Sequence, residues 1–232
     1  MLNWAARYFP ILRVLKPQLS ETDSLLEIGS GPFGVGAFRR HPFIGCDVSF
    51  PFPPKAPMIP VVATATNLPF GDKSYDAVIV SDVLEHIPPE KRMDVVSEAL
   101  RVTRKIAVFG FPSGMEAFEC DRKLAQTYDQ QHLERPVWLQ EHMLYPFPTD
   151  SLFDSLSKDW QVRSFGNESL NSHYWIMRKE MHPRWNQFFG ILVAELPRTI
   201  AYILRRVDCM PFYRKIVIVQ PNVKAEMAAS EA

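Results

Sequence analysis

The chain has 232 residues, 47% hydrophobic and 22% charged, which is enough apolar content for a sizeable core and too little charge for a disordered chain. Lys+Arg and Asp+Glu both number 26, so the formal net charge is 0, and a nucleic-acid binder that must neutralise phosphates is not expected. Cys46, Cys120 and Cys209 are far apart and form no C-x-x-C pair. The sequence therefore predicts neither a disulfide scaffold nor a zinc module, assigns no metal ligands, and fits a reducing cytoplasm.

Residues 1–20 open with MLNWAARYFPILRVLKP, a short amphipathic helix expected to break near Pro10. Arg7, Pro10, Arg13 and Lys16 interrupt any apolar run, so it is not read as a signal peptide. SLLEI (24–28) is a buried strand ending in a glycine loop, and GVGAFRR (34–40) starts a short helix. PFIGCDV (42–48) is a second strand ending in Asp47. The proline-rich stretch 49–60 predicts an extended loop, and VVATAT (61–66) a third strand. YDAVIVSD (75–82) is the clearest buried parallel strand. Residues 88–103 form a helix with Met93, Val96 and Leu100 on one face, and KIAVFGFP (105–112) is a fifth strand. This alternation predicts an α/β fold.

The second half is less regular. Residues 113–145 carry mixed helical patterns, 150–160 an amphipathic helix, 161–167 a sixth strand, 172–208 helices, and 212–221 a last strand. Residues 224–232 read as a flexible tail. In the apolar stretch 188–204, Glu195, Pro197 and Arg198 break any run approaching the ~20 residues of a membrane span. It is read as a buried or lid helix, with contact at a membrane surface as the alternative.

Gly29, Gly31 and Gly34 stand at G-x-G-x-x-G spacing after a strand, which suits close approach of a nucleotide. Asp47 ends the next strand, where a carboxylate can accept from both hydroxyls of an adenosine ribose. Glu27 precedes the first glycine and would repel a pyrophosphate.

The segments LLEIGSGPFGVG, FIGCDVS, LPFGDKSYDAVIVSDVLEHI and ALRVTRKIAVFGFP, in this order, resemble the class I S-adenosylmethionine-dependent methyltransferases of the type 11 group. The resemblance covers roughly residues 20–112. It implies a Rossmann-like, seven-stranded, mostly parallel sheet with helices on both faces and a helical lid. The methyltransferase domain would run over 21–223, with acceptor-side segments near 113–150 and 170–208. The cofactor implied is S-adenosyl-L-methionine. By the same resemblance Glu27 supports its methionine portion, Gly29, Ser30 and Gly31 pass under the methionyl and ribose portions, Gly34 belongs to the same cofactor loop, Asp47 takes the ribose and Val48 packs on adenine. Thr64, Ala65 and Thr66 lie on the adenine side, and Ser81 and Asp82 beside the methionyl end. Two positions depart from the family: Phe33 stands where a third glycine is common, and Thr64 where an acidic residue is usual.

Candidate catalytic residues are His86, a base with a side-chain pKa near neutrality, and His142, in WLQEHMLYPFP, which could close over the site. Each has a bland alternative: His86 packing the next helix, and His142 on an exposed polar face. Asp121 and Tyr128 are weaker candidates. Trp138, Tyr145, Trp175 and Trp185 could stack on a sugar or an apolar ring. WLQEHMLYPFP is similar to a segment of relatives acting on glycans or lipid-linked intermediates. The sequence thus predicts a cytoplasmic methyltransferase of a small molecule, glycan or lipid-linked acceptor. The alternatives are an NAD(P)-dependent oxidoreductase, or a non-catalytic binding module on the same fold.

Overall fold

The computed structural model describes residues 1–158 and 160–222; the expected tail, 224–232, lies outside them. The strands are β1 (Leu25–Ile28), β2 (Phe43–Asp47), β3 (Met58–Val62), β4 (Tyr75–Ser81), β5 (Thr103–Pro112), β6 (Trp160–Ser169) and β7 (Phe212–Pro221). They form one sheet in the order β3-β2-β1-β4-β5-β7-β6. The pairs from β3 through β5 are parallel, and β7 is antiparallel to both its neighbours. The chain reverses direction of travel across the sheet between β1 and β4, which is the place where such sheets open a ligand crevice at the strands' carboxyl ends.

Helix α1 (Leu2–Leu15) covers one face, with Tyr8, Ile11 and Leu15 packed on Leu25, Ile79, Ile106 and Val108. Helix α2 (Arg92–Val102) covers the other through Val95, Val96, Ala99 and Val102. Phe153, on a 3-10 helix spanning Asp150–Lys158, joins that second layer against Phe109 and Phe111. The sequence predicts an amphipathic helix over 150–160; its winding is the tighter one, with an i→i+3 bond from Leu152 N–H to Thr149 carbonyl. Helices α3 (Gly114–Gln130) and α4 (Val137–Glu141) follow β5. Helices α5 (Leu170–Glu180), α6 (Pro183–Glu195) and α7 (Pro197–Val207) stack outside α1, where Ile176, Phe189, Val193 and Ile200 meet Leu2 and Ala5. Among the described residues no single helix is long and apolar enough to cross a membrane; α6 and α7 reach that length and composition only together, bent by 111°.

Two local expectations are corrected. Helix α1 does not break at Pro10. Proline cannot donate to the carbonyl four residues back, that of Ala6, but the Asn167 side-chain amide donates to that oxygen at 3.1 Å in its place. Strand β3 begins at Met58, inside the expected proline loop, and ends at Val62. It is an edge strand: Pro57 carbonyl and Ala63 N–H bond to β2, so the odd positions face the sheet. Pro60 therefore turns its missing N–H outward, where no ladder partner is lost.

Candidate active site

The glycine loop leaves β1 at the carboxyl edge of the sheet. Gly29 and Ser30 N–H both donate to Cys46 carbonyl, at 2.8 and 3.2 Å, which ties the loop to β2. Gly29, Gly31 and Gly34 have φ of +73°, +53° and +48°, the region that glycine enters without steric cost. Their surroundings differ. A Cβ on Gly29 would strike Val83 and one on Gly34 would strike Glu27, whereas one on Gly31 would meet nothing within 4 Å. Gly31 is therefore the open face of the loop.

Glu27 is fully buried. Its Oε1 accepts from Tyr8 hydroxyl at 2.7 Å and its Oε2 from Val35 N–H at 2.6 Å. Burial raises its pKa to about 7, against the lowering effect of those two bonds. The resemblance assigns Glu27 to the methionine portion of a cofactor; its hydrogen bonds here go to the protein and hold the loop's shape. Asp47 Oδ2 accepts from Gly31 N–H at 2.8 Å and Oδ1 from Val48 N–H at 2.8 Å. Each oxygen keeps a lone pair for a further donor. Val48 is 69% exposed beside it.

The turn after β3 joins the same edge through Ala63 N–H, which donates to Asp47 carbonyl at 3.0 Å. Thr64 hydroxyl is bonded within that turn, to Thr66 hydroxyl at 2.8 Å and from Thr66 N–H at 3.2 Å, and Ala65 packs toward the α2-side core. Ser81 is buried at the end of β4. Asp82 has φ +53° and anchors its N–H on Gly110 carbonyl at 2.8 Å. Its carboxylate meets Arg7 Nη2 at 2.5 Å and also Arg214. Burial works against its charge, but Arg214 and Arg7 outweigh burial and hold the carboxyl below its ordinary range. Asp82 thus joins β4 to α1 and β7.

Beside Asp82 a cavity of about 240 Å³ is lined by Asn3, Trp4 and Arg7 of α1, His86, Trp138, His142, His173 and Met177, and Tyr213 and Arg214 of β7. His86 and His142 face each other, ring centroids 4.9 Å apart. Burial, and then His142, lowers the His86 pKa, with Glu141 Oε2 2.9 Å from its Nδ1 pulling the other way. His142 is buried, which removes the exposed-face alternative for it. Its Nδ1 lies 2.6 Å from Asp121 Oδ2, which also accepts from Tyr213 hydroxyl at 2.8 Å. Burial opposes the Asp121 charge, but His142 and His173 bring its pKa down to about 2. His173 stacks on Tyr213 and sits between Glu168 and Asp121. Burial would discharge it; those two carboxylates raise its pKa to about 9. Glu85 is fully buried near His142, and burial together with Asp82 pushes its pKa well up.

The structure gathers the predicted cofactor residues from Glu27 to Asp82 along one sheet edge and brings His86 and His142 to one cavity. Trp138 lines that cavity, with Trp4, which sequence reasoning missed. Trp175 and Trp185 do not line it: they cluster with Phe188 and Phe189, half exposed, on the outer helices. Phe33, the departure from the glycine pattern, sits between Trp4 and Phe52 at 5.8 and 6.1 Å between centroids. Arg7, His173, Tyr213 and Arg214 were also missed. Arg214 stands next to Lys215 in β7, so only its burial, which the sequence does not show, sets it apart.

Residues 26–110 match the family described as a methyltransferase domain. An uncharacterized methyltransferase of Mycobacterium sp. (strain KMS) is 31% identical over 136 residues, 49% of this chain and 52% of that protein. The chain thus spans about half the length of the curated relatives it matches. Among solved structures, magnesium protoporphyrin IX methyltransferase from Synechocystis PCC 6803, crystallised with S-adenosylhomocysteine, aligns with TM-score 0.53 at 10% identity, over 92% of this chain and 81% of that one. A putative sarcosine dimethylglycine methyltransferase from Galdieria sulphuraria aligns with TM-score 0.54 at 14% identity, over 94% and 83%. At these identities the likeness is one of fold.

Proposed function

We infer that this chain, whose residues 26–110 are a methyltransferase domain on a class I methyltransferase fold, transfers a methyl group from S-adenosylmethionine to a small-molecule, glycan or lipid-linked acceptor. The observation that carries the reading is the open face of Gly31 beside Asp47, whose two oxygens are held by Gly31 and Val48 N–H with acceptor capacity to spare. That edge fits a ribose, and no side chain obstructs it at Gly31.

When bound there, S-adenosylmethionine supplies an activated methyl on a sulfonium. The chain's own task is then to place an acceptor atom in line, which can lower a barrier by roughly 7–11 kcal/mol. Asp47 would hold the ribose and the Gly29–Gly34 loop would set the depth. Trp4 and Trp138 would fix the acceptor's plane in the 240 Å³ cavity. His86, at the wall of that cavity with its pKa lowered by burial, can take a proton from that acceptor when its ring nitrogen is free. The zero net charge keeps nucleic acid off the acceptor list.

Calorimetric titration with S-adenosylhomocysteine, with NAD(H) in parallel and Asp47→Ala as control, tests this. Micromolar binding that the substitution weakens is expected. A folded protein that binds only NAD(H) would make it an oxidoreductase, and one that binds neither would make it a binding module.

For location we place the chain in the cytoplasm with α6 and α7 against an anionic membrane surface. Ile191, Tyr202 and Ile203 are exposed along the bent pair, and Arg205 and Arg206 end it. Co-sedimentation with vesicles containing phosphatidylglycerol, lost in a Tyr202→Ser, Ile203→Ser variant, is the expected result; equal recovery without vesicles sinks it.

A further inference from the structure

Glu85 is the least provided-for side chain behind the acceptor cavity, beside the His142 that lines it. It is fully buried, and no other residue gives either carboxyl oxygen a hydrogen bond; its own backbone N–H is the donor nearby. Of the guanidinium groups nearby, Arg7 and Arg214 meet Asp82 through their terminal nitrogens, and Arg92 bonds Ile87 and Pro146 carbonyls. A buried carboxyl escapes the cost of its charge either by keeping its proton, the direction in which burial pushes Glu85, or by a cation that displaces that proton. His142 Nε2 stands 3.8 Å from Glu85 Oε1, too far for a hydrogen bond and a few tenths of an ångström wider than two ligands about a tetrahedral zinc. One ligating atom from each of Glu85, His86 and His142 lies within 4.8 Å of the other two.

His142 is also set up as a ligand by what lies behind it. Asp121 Oδ2, 2.6 Å from Nδ1, also accepts from Tyr213 hydroxyl, so the His142 tautomer that donates from Nδ1 satisfies that contact. In that tautomer the lone pair is on Nε2, the nitrogen on the Glu85 side. Tyr213 hydroxyl holds Asp121 in turn. Metal-binding histidines are commonly oriented in this way by a carboxylate on the far nitrogen.

We propose that Glu85, His86 and His142 hold a divalent first-row transition cation at the wall of the acceptor cavity. Two imidazoles with one carboxylate suit zinc, manganese, iron(II) or cobalt; magnesium and calcium take oxygen ligands. Three protein ligands leave coordination positions open. His86 and His142 both line the cavity, so an acceptor entering beside Trp4 and Trp138 reaches those positions. Those positions take a lone-pair donor, so the acceptor would be a molecule with an oxygen, nitrogen or sulfur donor beside the methylated atom; this rests on the methyl-transfer reading, while the metal site does not. Asp121 is a positioning residue for His142.

Cobalt(II) titration of the full chain tests the site, read by calorimetry and by visible absorption, with Zn²⁺ as competitor and Mg²⁺ as control. One Co²⁺ per chain, displaced by Zn²⁺ and not by Mg²⁺, is expected. Glu85→Gln and His142→Gln should each weaken binding about 100-fold or more, and Asp121→Asn about 10–100-fold. Titration of each variant with S-adenosylhomocysteine shows whether it has folded; should Glu85→Gln fail there, the less buried His86→Gln replaces it. A wild-type chain that binds S-adenosylhomocysteine but not Co²⁺, or Co²⁺ binding undiminished in the Glu85 or His86 variant and in His142→Gln, overturns the proposal. Co²⁺ binding with no S-adenosylhomocysteine binding sinks the methyl-transfer reading and leaves the metal site standing.

Discussion

A Cβ on Gly34 would fall inside the contact radius of Glu27 Oε2, so the acidic residue before the loop and the last glycine of the loop determine one another. Gly34 is also at φ +48°, where a side chain costs roughly 1–2 kcal/mol. Gly34→Ala should lower stability by more than that strain alone. Gly31→Ala has the strain without the clash, yet fills the open face of the loop. It should lose affinity for S-adenosylhomocysteine out of proportion to its change in Tm. Thermal unfolding and calorimetry on both variants separate the two effects, and equal losses of affinity at equal stability would contradict the assignment of Gly31 to the ligand face.

Glu27 gives the chain a pH dependence of defined sign. The folded carboxyl keeps its proton up to about pH 7, whereas the ordinary carboxyl loses it near 4.5. Between those values the folded state binds more protons, so stability falls as pH rises from 4.5 to 7 and is level above. The span is about 3 kcal/mol. Glu27→Gln can keep both hydrogen bonds, its oxygen facing Val35 N–H and its amide facing Tyr8. Urea unfolding across pH 4.5–8 should show this decline in the wild type and a flatter profile in the variant.

The Asp82 carboxylate pairs with Arg7 and Arg214 together. Removing one partner of a buried ion pair costs about 3–5 kcal/mol because the other charge is stranded. Asp82→Asn should therefore lower the urea midpoint sharply. A triple variant carrying Arg7→Met, Asp82→Asn and Arg214→Met should recover much of the loss. A triple variant no more stable than Asp82→Asn alone would refute the pairing.

Asn167 and Pro10 allow a double-mutant cycle. Asn167→Ala leaves Ala6 carbonyl without its donor, at a cost of about 1–3 kcal/mol. Pro10→Ala restores an N–H that can bond the same oxygen within α1. The double variant should be more stable than Asn167→Ala alone, and strict additivity of the two changes would show that the carbonyl is not shared.

The run from SLLEI to KIAVFGFP was legible because, apart from the crossover from β3 to β4, consecutive strands there are also neighbours in space. An apolar strand, a glycine turn and an acidic strand end describe β1, its loop and β2 without knowledge of anything remote. The same locality failed where a partner came from far along the chain. Pro10 predicts a helix break by its own chemistry, and only Asn167, on the remote strand β6, removes it. Pro60 predicts a loop, and only the edge position of β3 makes it acceptable.

The amino-acid sequence by itself determined the order of the elements, the glycine loop, Asp47 as its companion and the sheet edge where a ligand would lie. These depend on backbone preference and on apolar patterning, which are written over a few residues. Tertiary structure alone decided that Asp82 is engaged by Arg7 and Arg214, that Glu27 clamps its own loop, and that Glu85, His86 and His142 converge. Charges and hydrogen bonds are settled by whichever group arrives within about 3 Å, and here α1, α3 and β7 deliver those groups from opposite ends of the chain.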